Sequence, residues 1–122
     1  MPPRAIALVA ALALVAPSSA SAARVETRMP SDVHETLQRH DRQLRRCFDR
    51  GLRNTMVTRG KLVVKFRVSA AGRVRKVAFD RRRSTVRHAR VERCVSSVFR
   101  SIRFPRQGET TWFTSPLVFG SV

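Results

Sequence analysis

The chain has 122 residues and a formal net charge of +17, with 25 Lys plus Arg against 8 Asp plus Glu. That length fits one domain, and that charge is drawn to anionic surfaces such as nucleic acid, lipid head groups or acidic polysaccharide. With 2 cysteines and 3 histidines the chain has no C-x-x-C pair and no metal-ligand spacing among His34, His40 and His88.

Met1 to Arg4 is a short positive region, and Ala5 to Pro17 is an apolar run too short to span a bilayer comfortably. Ala20-Ser21-Ala22 follows in an A-x-A arrangement. Residues 1–22 therefore read as a secretory signal peptide cleaved after Ala22, with an uncleaved anchor as the rival reading. No cysteine stands directly after the run, so no lipoprotein attachment site is expected. The product is expected in the periplasm or outside the cell. Residues 23–30 read as a flexible lead-in and 31–122 as the domain.

Pro30-Ser31 signals a helix start, with Ser31 as N-cap and Asp32 and Glu35 in the first turn. Val33, Leu37, Leu44, Cys47 and Phe48 make one apolar stripe, which predicts a single amphipathic helix to about Arg50, closed by Gly51. Its other face carries Arg39, Arg42, Arg46, Arg50 and Arg53. A solvated face and a docking surface both explain that stripe.

Asn54 to Gly60 is a loop. Leu62, Val64, Phe66 and Val68 then alternate with Lys61, Lys65 and Arg67, which predicts a half-buried strand. Ala70-Ala71-Gly72 supplies a turn, and a second strand follows from about Val74 to Asp80. Val74 is out of phase with Val77 and Phe79, which marks a turn exit or a bulge. A second helix is predicted within Ser84–Pro105, with Ser84 as N-cap and Val91, Val95, Val98 and Ile102 as its apolar stripe. Thr111, Phe113, Ser115, Leu117 and Phe119 alternate as a last strand, and Pro116 assigns it to a sheet edge.

The order is α-β-β-α-β. It predicts an α+β fold, a three-stranded antiparallel sheet with two helices packed on one face. A leader with an even cysteine count points to a disulfide between Cys47 and Cys94, and two buried thiols are the alternative. Two helices side by side would bring the two sulfurs together.

Several ordered motifs resemble a known family. Cys47-Phe48 ends a helix, and Gly60-Lys61-Leu62-Val63-Val64-Lys65-Phe66-Arg67-Val68 is followed by Gly72-Arg73-Val74. Ser84-Thr85-Val86, Ala89-Arg90-Val91-Glu92-Arg93-Cys94-Val95, Phe104-Pro105 and Ser115-Pro116-Leu117-Val118-Phe119 complete the set. Together they resemble the TonB C-terminal domain family, in its cysteine-containing branch labelled AgmX/PglI C-terminal. Ile102 stands where many members carry Trp. The resemblance implies a disulfide-stapled periplasmic αββαβ domain without catalytic residues or cofactors. It also implies capture of an envelope protein segment by strand addition.

No nucleophile motif, Gly-rich phosphate loop or small-molecule site stands out, so no enzyme and no cofactor is expected. The free edge of the last strand, at Thr110, Trp112 and Thr114, is the expected partner site. A free edge also permits dimerisation by strand exchange. The alternative partner is an anionic envelope polymer or nucleic acid, held by Arg81, Arg82, Arg83, Arg87 and Arg90. Basic composition alone is the bland account of those arginines.

Overall fold

In the middle strand of the sheet, Leu62, Val64, Phe66 and Val68 turn one way and are fully buried. The rest of the fold packs on the face they create. A computed structural model describes residues 29–120. Its elements are α1 (Ser31–Arg39), α2 (Asp41–Gly51), β1 (Gly60–Val68), β2 (Val74–Phe79), α3 (Ala89–Ser101) and β3 (Thr111–Phe119). The sheet is antiparallel throughout, in the order β2-β1-β3. The segment expected to be a signal peptide and most of the expected lead-in lie outside the described residues; of the latter, Met29 packs against the core and Pro30 precedes α1.

The first predicted helix is two helices, so the fold has three rather than two. The break falls at His40, where φ is −101° and ψ is 9°. Its N–H donates to the Leu37 carbonyl at 3.0 Å, an i→i−3 bond that tightens and ends α1. Its carbonyl accepts from Leu44 N–H at 3.1 Å and starts α2. One turn earlier the Thr36 hydroxyl donates back to the Asp32 carbonyl at 2.8 Å, a bond that bends helices. Ser31 is not the N-cap: Pro30 holds that position, and the Asp32 carboxylate accepts from the adjacent Val33 N–H at 2.8 Å.

The third helix begins at Ala89, five residues after the predicted cap. Ser84 serves the sheet instead. Its hydroxyl oxygen accepts from Val63 N–H at 2.9 Å and donates to the Asp80 carbonyl at 2.6 Å. Thr85 does the same one step along, its hydroxyl accepting from Lys61 N–H at 2.8 Å while its own N–H donates to the Lys61 carbonyl at 2.8 Å. β2 ends at Phe79, so these residues pair the part of β1 that β2 does not reach. On α3 the core positions are Val91, Val95 and Phe99; Val98, predicted for the stripe, is only half-buried.

The core lies between the even-numbered face of β1 and the three helices. Phe66 is its centre, with ring centroids of Phe99, Phe104 and Phe113 at 5.0, 5.5 and 5.6 Å. Cys47 on α2 and Cys94 on α3 form the disulfide, with Cα atoms 5.4 Å apart. Gly51, read as a helix terminator, has ordinary helical backbone and belongs to α2. Its function is clearance: a Cβ there would stand 2.5 Å from Val91 Cγ2, so the residue lets α2 approach α3.

The hairpin matches the sequence. Gly72 has φ +93°, and its N–H donates to the Ser69 carbonyl at 2.9 Å. The register slips between Arg67 and Val68, which pair with Lys76 and Val74 and leave Arg75 in a bulge. β3 is an edge strand, as Pro116 requires.

Candidate functional site

Antiparallel strands alternate residues that bond to one neighbour with residues that bond to the other. Lys61 and Val63 both direct N–H and C=O toward the β2 side, to Thr85, Ser84 and Asp80. The even-numbered residues of β1 therefore bond to β3, and their partners there are Thr111, Phe113, Ser115, Leu117 and Phe119. What remains on β3 points outward: the backbone groups of Trp112, Thr114, Pro116 and Val118. No described strand pairs with them. Pro116 pairs with Val63 at a position where no N–H is owed to β1. Its missing donor thins the outer edge and spares the ladder.

Side chains follow the same parity. Trp112 is 47% exposed and Val118 is 64% exposed, whereas Phe113 is buried. Arg67 lies opposite Trp112, its guanidinium carbon 5.8 Å from the indole centroid. That contact holds the indole against the sheet by cation–π attraction. Of the three residues assigned to this edge from sequence, Trp112 and Thr114 sit on it. Thr110 lies just before β3 and is exposed. Val118 was missed, although continuing the alternation past Pro116 would have found it.

The sheet face turned away from the helices is cationic. Lys61, Lys65 and Arg67 lie on it from β1, and Lys76, paired with Arg67, joins them from β2. These are all the lysines of the chain. Lys65 has a carboxylate within reach, Asp80 at 3.9 Å. Val63 shares this face yet is only 1% exposed, and Pro116 opposite is its cross-strand neighbour. The lysine convergence was not read from sequence, because it depends on the register that sets Lys76 opposite Arg67.

The arginine group lies in the loop before α3 and in its first turn. All five residues are exposed. Arg81 is tied to Glu92 at 3.1 Å, and Arg87 donates to the Arg81 carbonyl at 2.9 Å. Arg82, Arg83 and Arg90 make no such bond among the described residues. The stripe Arg39, Arg42, Arg46, Arg50 and Arg53 faces solvent throughout. Among the described residues, no three His, Cys, Asp or Glu side chains are placed to hold a metal ion.

No family model, no curated protein and no solved structure matches this chain.

Proposed function

We propose that this chain is a non-enzymatic periplasmic interaction domain of TonB C-terminal type. It receives an extended segment of an envelope protein along the outer edge of β3. The observation that carries the reading is the edge itself, unpaired among the described residues, with backbone groups of Trp112, Thr114 and Val118 directed outward and their side chains exposed. Such an edge is a template for one more strand. The motif order resembling the family supports it, and so does the disulfide, which belongs to an oxidising compartment. Energy transduction is not part of the proposal.

A photocrosslinking amino acid at Thr114, in cells that export the protein, tests this reading. The expected result is one adduct, formed also from Trp112 and Val118 and absent from Arg46 on the helix face. Equal adducts from Thr114 and Arg46, or none from the edge, would count against it.

The convergence of Lys61, Lys65, Lys76 and Arg67 on the open sheet face favours a second reading, a surface for an anionic polymer beside the loop arginines. Salt separates the two. Binding to heparin should weaken steeply with ionic strength and with replacement of the three lysines by Gln, while strand addition should change little.

A further inference from the structure

The other edge of the sheet has a wall. In β2, Lys76 and Ala78 pair with β1, so the backbone groups of Val77 and Phe79 face outward. Beside them runs a cleft of about 600 Å³, bounded by Phe79 and by Glu92, Arg93, Ser96, Ser97 and Arg100 along one flank of α3. α3 presents its other flank to α2, where Cys94 makes the disulfide. Glu92, on the wall of the cleft, closes an ion pair with Arg81 at 3.1 Å.

We propose that this cleft binds a short, extended, acidic segment of a partner protein, paired to Val77 and Phe79 and covered by α3. A strand edge offers alternating donors and acceptors that only an extended backbone matches. β2 carries no proline, so its edge lacks no donor. The charge selects the side chains. Glu92 is the carboxylate of the cleft, and Arg81 already neutralises it. Arg93 and Arg100 are exposed and make no ion pair among the described residues. They stand seven positions apart on one helix, a rise of about 10 Å, within the reach of an extended segment of four or so residues. Ser96 and Ser97 lie between them and leave room for the segment's side chains. This proposal is independent of the β3 reading, since the two edges share no residue.

The test uses the full oxidised chain, labelled with ¹⁵N, and three capped hexapeptides: alternating Glu-Val, Lys-Val and Glu-Pro. The Glu-Pro probe has the charge of Glu-Val but lacks every second backbone N–H and resists strand pairing. The expected result is saturable shifts at Val77, Phe79, Ser96 and Ser97 with Glu-Val alone. Arg93→Glu with Arg100→Glu should reverse the preference to Lys-Val, each affinity changing by about tenfold or more. Ser96→Phe, which fills the cleft, should abolish the shifts while the remaining spectrum keeps its dispersion. Equal binding of Glu-Pro, shifts confined to Trp112, Thr114 and Val118, or an unchanged preference in the double variant would overturn the proposal. So would amides of Val77 and Phe79 already protected by a second copy of the chain.

Discussion

Ser84 closes the open half of the central strand: its Oγ takes the Val63 N–H at 2.9 Å and its hydroxyl is donated to Asp80 at 2.6 Å. The residue is buried, and Val63 beside it is only 1% exposed. Ser84→Ala leaves that N–H without a partner, a cost of about 1–3 kcal/mol. Urea unfolding of the oxidised protein measures it, and Ser84→Thr should recover part of the loss. A Ser84→Ala midpoint equal to the parent would show that the bond contributes nothing.

The disulfide spans 47 positions in sequence and joins α2 to α3. Loop-closure entropy puts its contribution at about 4 kcal/mol. Folded small domains have only about 5–15 kcal/mol in total. The chain with both cysteines changed to Ala is therefore expected to unfold at far lower urea, and to lie partly unfolded without any. Circular dichroism with and without reductant checks this on the parent.

Two glycines separate clearance from backbone conformation. At Gly72 the left-handed backbone and the Phe104 carbonyl both oppose a Cβ, so Gly72→Ala should cost more than about 1 kcal/mol. At Gly51 the helix itself would favour Ala by about 1 kcal/mol. The 2.5 Å approach to Val91 Cγ2 opposes it, and Val91 is fully buried. Overpacking of this kind costs about 1–3 kcal/mol, so Gly51→Ala should be net destabilising. A stabilised Gly51→Ala variant would mean that α2 and α3 shift apart freely.

Phe66 and Trp112 divide stability from recognition. Phe66 is fully enclosed by aromatic neighbours, and Phe66→Ala should cost about 3–5 kcal/mol. Trp112 is half-exposed, and Trp112→Ala should change stability by less than about 1 kcal/mol while weakening partner capture at β3. As the single tryptophan, it also reports directly: its emission should shift to the blue when a segment covers the edge.

Strand periodicity carried most of the fold. Alternation is strict at Thr111 to Phe119 and broken only by Val63 at Leu62 to Val68, so both strands, their buried faces and the edge position of β3 follow from residue order. Val74, out of phase, announced the bulge that the register contains. Helix ends were harder to read. The break at His40 has neither Pro nor Gly; it rests on side-chain bonds to the turn behind it. Ser84 has the chemistry of an N-cap, and only the tertiary fold decides that it bonds to β1 instead. Phe99, four residues after Val95, takes the core position in place of Val98 and packs against Phe66. At the site, parity was legible for Trp112 and Thr114. The cleft beside β2 was not, since it exists only once α3 lies along that edge.

Hydrogen exchange at the amides of β3 tests the central claim most directly. In the free protein the account predicts slow exchange at Phe113, Ser115 and Leu117 and fast exchange at Trp112, Thr114 and Val118, with those three slowing when the captured envelope segment is bound. Uniform protection of both sets in the free protein, or bound-state protection that leaves Trp112, Thr114 and Val118 unchanged, would contradict it.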